Sequence, residues 1–205
     1  LKDHSVSGDS FELLYDPARE LFYTHPKPSE SELSGYYPDT NYISHTNQQK
    51  SLFDLLYHAV RSVSVRRKFR LLKSFQPKKG ALLDIGAGTG FFLRAAQKRG
   101  WTVTGIEPNA SARNLANSKA PNTVFDAETL RTLPEASFDV ITLWHVLEHL
   151  PNLEDDLKIF QKLLKPNGRI VVAVPNFKSF DALYFKDFWA AYDVPRHLWH
   201  FSQQS

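Results

Sequence analysis

The stretch LWHVLEHL, residues 143–150, sets His145, Glu148 and His149 within five positions of one another. Imidazole titrates near neutral pH, so such a group can accept a proton, bind a cation or simply tie a loop to its neighbours. A second stretch, LLDIGAGTGFF, puts Asp84 two residues before Gly86, with Gly88 and Gly90 following. Glycines let the backbone turn tightly and let a ligand approach without meeting Cβ atoms. About twenty residues further on, Glu107 ends the apolar run TVTGI, where a carboxylate can accept both hydrogen bonds of a ribose diol.

What the two stretches do depends on the elements that carry them. From Ala81 onward apolar runs alternate with helical patterns. ALLDIGA, TVTGIEP, NTVFDA, FDVITLW and GRIVVAVP read as five strands, separated by helices over Gly90–Arg99, Asn109–Lys119 (capped by Asn109 or Ser111) and Asn152–Leu164. Near-continuous apolar strands alternating with helices predict an α/β fold, a Rossmann-like and mostly parallel sheet covered on both faces. The expected division is a loop-rich arm over 1–48 with one short helix near Glu30–Gly35, a helical segment over 49–79, and the α/β domain over 80–205. In the helical segment Leu52, Phe53, Leu55, Leu56, Val60, Val63, Phe69, Leu72 and Phe75 form the expected apolar stripe, and Pro77 and Gly80 end it. Residues 179–189 are weakly helical. No sixth or seventh strand is legible after Asn176, so the chain reads as C-terminally incomplete and is expected to continue past Ser205.

These placements sort the chemistry. Trp144 ends the fourth strand, so His145 stands where open α/β sheets place their ligands. The spacing H-x-x-E-H is an inverted zinc-peptidase pattern. Here Pro151 leaves room for about a turn and a half of helix at most, and no metal is expected. Three readings of the histidines remain: His145 lines a pocket, His145 or His149 accepts a proton, or Glu148 and His149 hold the loop. The glycine turn is not a P-loop, since no G-K-[ST] follows. Its spacing is G-x-G-x-G, and Phe91 occupies the place of the third dinucleotide glycine. Asp84 would repel a pyrophosphate and suit a cationic group. Singly, Asp84 could cap the turn and Glu107 could be a solvated charge; at the ends of adjacent strands they point to a nucleoside that carries a positive group and no phosphate.

Those features describe S-adenosylmethionine, and the chain resembles the class I methyltransferases that use it. LLDIGAGTG resembles their first motif, VTGIEPN the second, FDAETLRTLPEASFDVI the adenine-reading region, and FDVITLWHVLEHL with LKPNGRIVVAVPN the later motifs. HVLEHL and DVPRHLWHFS look like the ubiquinone-biosynthesis-like group of small-molecule methyltransferases. The resemblance implies that Asp84, Gly86, Ala87 and Gly88 meet the methionine part of the cofactor and that Glu107 and Pro108 lie at the ribose. It also implies Asp126 (or Glu128) at the adenine amine, with Trp144 and His145 along the pocket. His145 and His149 are the candidate proton acceptors, and Tyr42, Arg196 and His197 the candidate contacts for the acceptor. The expected reaction is methyl transfer to a small molecule, at oxygen. The rivals are a nicotinamide-dependent oxidoreductase, disfavoured by Asp84 and Phe91, and a non-catalytic module that keeps the fold.

Composition agrees. The charged share is 23%, the apolar share 42% and the net charge only +3, with no excess that calls for nucleic acid. The basic cluster Arg66, Arg67, Lys68, Arg70 and Lys73 reads as a solvated helix face. No apolar run reaches the length of a membrane span. There is no cysteine, hence no disulfide or thiolate site, which fits a reducing cytoplasm. Oligomeric state is not legible.

Overall fold

The structure, a computed structural model, describes residues 1–37, 52–76 and 78–205. Contacts divide the chain into two compact units. Leu1–Asn41, Trp144–Asp156 and Val172–Ser205 form one, and Tyr42–Leu143 with Leu157–Val171 the other.

The second unit is built on a five-stranded parallel sheet. Its strands are β3 (Ala81–Ile85), β4 (Thr102–Ile106), β5 (Val124–Phe125), β6 (Phe138–Trp144) and β7 (Leu164–Ala173), in the order β5-β4-β3-β6-β7. Leu82, Leu83, Val140, Ile141 and Leu143 are fully buried, which explains why β3 and β6 read as near-continuous apolar runs. Register places Asp84 on β3 beside Gly105 on β4 and Thr142 on β6. A Cβ on Gly105 would stand 2.4 Å from Leu93 Cδ1 and 2.9 Å from Ala87 Cβ, so this strand passes too close to its neighbours for any side chain. The strand expected to begin at Gly168 starts four residues earlier.

Helices α2 (Leu52–Phe75), α3 (Phe91–Gln97), α4 (Ala110–Lys119) and α5 (Leu153–Leu163) fall in the expected segments. Asn109, rather than Ser111, caps α4, its side chain accepting the Ala112 amide at 2.9 Å. α2 is one helix, and its stripe differs from the expected one. Val60 and Val63 are exposed, while Val65 and Leu72 are buried and Phe69 half-buried. The contact face therefore runs through 65, 69 and 72, a helical repeat with one position shifted from the apolar pattern. The side chains of residues 52–59, and Pro77, lie outside the described residues.

The first unit holds more regular structure than its composition predicts. β1 (Glu12–Asp16) and β2 (Leu21–His25) form an antiparallel hairpin, and β8 (Trp199–His200) adds to β2 through Phe22–His200 and Tyr23–Trp199. Asp16 closes the turn by accepting the Ala18 amide at 2.9 Å. The short helix foreseen near Glu30–Gly35 is α1 (Glu30–Leu33), followed by a 3-10 turn over Ser34–Tyr36. α6 (Phe180–Phe185) completes the unit.

Candidate functional site

β3 ends in a turn whose three glycines all adopt left-handed backbone, with φ of 68° at Gly86, 54° at Gly88 and 67° at Gly90. A Cβ at any of them would be strained. The turn is held from the neighbouring strand, since Ala87 N–H donates to the Ile106 carbonyl at 2.9 Å. Glu107, 3% exposed, braces it further. One carboxylate oxygen accepts the Gly88 amide at 2.8 Å and the other the Asn109 amide at 2.9 Å. Glu107 is thus no solvated strand-end charge. Each of its oxygens has a second lone pair, so the same carboxylate can also receive hydroxyl groups.

Asp84 does not cap the turn. It is 3% exposed, and its Oδ1 accepts a 2.6 Å hydrogen bond from the wholly buried Thr142 hydroxyl. Burial pushes its carboxyl up to about 7, against the opposing pull of the Thr142 hydrogen bond and the Lys68 charge. A carboxylate in this state is stabilised by any cation that comes to it. Asp126, by contrast, is exposed and accepts from the amide and hydroxyl of Thr129 at 3.0 and 2.8 Å, which hold its carboxyl below the usual range. Pro108 and Glu128 are exposed as well.

Trp144, His145, His149, Arg196 and His197 belong to the first unit. Trp144 is half-buried. His145 is exposed, with left-handed backbone at φ 59°, uncommon for a residue with a side chain. Its amide donates to the Ala173 carbonyl at 2.8 Å. Its ring Nδ1 lies 3.6 Å from Glu148 Oε1. Glu148 is 1% exposed, and neither carboxylate oxygen has a hydrogen-bond partner among the described residues. Glu148, His149 and His197 present ligand atoms within 4.8 Å of one another, an arrangement able to hold a metal ion. His149 Nδ1 lies 3.0 Å from the Arg196 carbonyl and 2.9 Å from the Tyr37 hydroxyl, and His197 Nδ1 lies 2.8 Å from the Ala191 carbonyl. A carbonyl only accepts, so both rings carry a proton on Nδ1, which in a neutral His149 ring leaves the lone pair on Nε2. Burial, then the nearby His197, holds His149 below its usual range, which keeps it neutral at pH 7. Arg196 is forked onto Asp193. Tyr42 lies outside the described residues.

Three groups at these sites were not foreseen: Thr142, Lys68, and the joining of His197 to Glu148 and His149. Thr142 had a signal, a hydroxyl within the otherwise apolar VITLW; the others depend on contacts between distant segments.

With this geometry established, comparison with known proteins is decisive. A methyltransferase-domain family matches residues 57–205. The chain belongs to that family. Among its relatives, a methyltransferase of Alkaliphilus oremlandii is 34% identical over 106 residues, covering 50% of this chain and 49% of that protein. A ubiquinone biosynthesis O-methyltransferase of Coxiella burnetii is 31% identical over 107 residues, covering 48% and 46%. The chain thus spans about half the length of these curated relatives. The crystal structure of a SAM-dependent methyltransferase from Archaeoglobus fulgidus is 25% identical with a TM-score of 0.57, covering 75% of this chain and 69% of that one. S-adenosylmethionine is the cofactor of this methyltransferase domain. The residues fit it: the buried Asp84 carboxyl can pair with a cationic group, the Glu107 carboxylate can accept from a diol, and the turn leaves no side chain in the way at Gly86 and Gly88.

Proposed function

We propose that the protein transfers a methyl group from S-adenosylmethionine to the oxygen of a small-molecule acceptor. The observation that carries this reading is the pairing of buried Asp84 with the left-handed glycine turn that Glu107 braces. The bound sulfonium supplies an activated methyl, so the protein need only align a nucleophile and exclude water. Asp84 takes the α-amino group, Gly86, Ala87 and Gly88 give backbone to the methionine part, and Glu107 and Pro108 flank the ribose. Asp126 takes the adenine amine through the oxygen not bound to Thr129, and Trp144 and His145 line the cofactor. His149, neutral with a lone pair on Nε2, accepts the proton of the acceptor hydroxyl, with His145 as the alternative base. Tyr42, Arg196 and His197 are assigned to the acceptor. Oxygen as the methylated atom is supported by the name of the Coxiella burnetii relative. The test is transfer of labelled methyl to a panel of phenols, catechols and amines. Labelling of hydroxyl oxygens that His149→Ala abolishes supports the assignment; labelling of amines alone overturns it.

The orphaned Glu148 carboxylate favours a second reading of the histidine cluster. A divalent ion held by Glu148 and by Nε2 of His149 and His197 would lower the pKa of a bound hydroxyl. Metal analysis of the purified protein, with and without Glu148→Gln, decides between a stoichiometric ion and none.

A further inference from the structure

Charge is unevenly spread along the chain. Residues 55–106 hold eleven of its 25 Lys and Arg but only one of its 22 Asp and Glu, the buried Asp84. The fold gathers the exposed cations of this segment on α2 and at the edge of the sheet where its strands begin. Arg66, Arg67, Arg70 and Lys73 are exposed on α2. β3 starts at Ala81 and α3 ends at Gln97, so Lys78, Lys79, Lys98 and Arg99 stand at the edge opposite the glycine turn. Arg99 reaches α2, its guanidinium carbon 4.4 Å from the Phe69 ring centre. Lys79 lies against Gly100, where an added Cβ would stand 3.4 Å from its Cδ. No exposed carboxylate within the segment answers these charges, and those at the strand-starting edge stand away from the cofactor turn. Such a surface suits a partner that is itself extended and anionic.

The exposed side of α2 is not purely charged, and this decides the kind of partner. Val60, Val63, Arg67, Arg70, Leu71 and Ser74 recur at three- and four-residue spacing and are all exposed. They share the side of the helix turned away from the buried Val65 and Leu72, with Arg66 and Lys73 flanking them. A phosphodiester backbone would reward the arginines and gain nothing from three aliphatic side chains. A bilayer surface rewards both: acyl chains take Val60, Val63 and Leu71, while lipid phosphates take guanidinium groups whose stems span the two levels. We propose that the exposed side of α2 is a docking surface for an anionic lipid bilayer, with Lys78, Lys79, Lys98 and Arg99 adding attraction to the negatively charged headgroups. The attachment is peripheral and reversible, since charge supplies most of it and salt screens charge. The basic cluster that reads as a solvated helix face in the sequence thereby acquires a ligand.

Co-sedimentation of the full chain with vesicles tests it, using phosphatidylcholine alone and an equal mixture of phosphatidylcholine and phosphatidylglycerol. The wild type should partition onto the mixed vesicles at least about tenfold more strongly than onto phosphatidylcholine, and added salt should release it. Arg67→Gln/Arg70→Gln should weaken that partition at least about tenfold, and Val63→Ser/Leu71→Ser by about threefold to tenfold. Lys119→Gln/Lys162→Gln removes two exposed charges from α4 and α5 of the same unit and should stay within about twofold of the wild type. All three variants should melt as the wild type does, because the changed side chains are exposed. No partition of the wild type onto mixed vesicles, equal partition onto both kinds, or equal losses in the two charge variants overturns the proposal. So does unchanged partition in Val63→Ser/Leu71→Ser. Binding of a duplex oligonucleotide that mixed vesicles fail to displace assigns the surface to nucleic acid and overturns it as well.

Discussion

Thr142 Oγ1 donates a 2.6 Å hydrogen bond to Asp84 Oδ1 between adjacent parallel strands, at a point where both residues are buried. The bond fixes which way the carboxyl points and leaves its other oxygen for a ligand. Thr142→Val keeps the shape of the side chain and removes the donor. It should destabilise the protein by about 1–3 kcal/mol and push the Asp84 carboxyl further up. Denaturant unfolding measures the first effect, and the pH profile of cofactor binding the second.

That profile has a definite sign. In the cofactor-free protein the Asp84 carboxyl lies near 7, against an ordinary 3.8. Between those values the native state holds a proton that the unfolded chain has released, so this group makes stability fall as pH rises from about 4 to about 7, and flat above. Cofactor binding favours the carboxylate, so affinity should rise with pH by up to about tenfold per unit and level off above about 7. In Asp84→Asn both dependences should vanish from the titration and melting curves.

The first unit should respond to pH in the opposite sense. His200, beside the Thr24 hydroxyl at 3.0 Å, is driven down to about 3 by burial and then by the neighbouring His197. The unfolded imidazole gains its proton near its ordinary 6.5, so stability is fully present above that value and is lost as pH falls toward 3. Hydrogen exchange, corrected for its intrinsic pH dependence, should show protection of β2 and β8 falling between pH 7 and 5 while that of β3 and β6 does not.

The corrected face of α2 gives a packing test. Leu72→Ala should cost about 2–5 kcal/mol, because Leu72 has no exposed surface. Val63→Lys should change stability by less than about 0.5 kcal/mol, although the apolar pattern alone ranks the two positions together. Thermal or denaturant unfolding of the two variants separates these cases.

The sheet was legible because β3 and β6 are buried apolar runs and because strands and helices alternate along the chain. Asp84 and Glu107 were legible because strand ends and a glycine turn are local features of the chain. The hairpin β1–β2 had a signal, Asp-Pro between two apolar and aromatic runs, that the Ser- and Pro-rich surroundings masked. β8 had none, since two residues become a strand only by pairing with β2. The same holds for His197 beside Glu148, and for Lys68, whose ammonium lies 5.5 Å from the Phe92 ring on another element. Glu107 shows the intermediate case: its position at a strand end was readable, but its two bonds to the Gly88 and Asn109 amides are made by backbone that sequence does not display.

The central claim is that Asp84 anchors the cationic end of S-adenosylmethionine at the glycine turn, and a calorimetric titration of the cofactor into wild type and Asp84→Asn at pH 8 tests it most directly. Saturable one-to-one binding by the wild type, weakened at least about tenfold in an Asp84→Asn protein that melts as cooperatively, is the predicted result. Equal affinity in the two proteins, or no binding by the wild type, would contradict it.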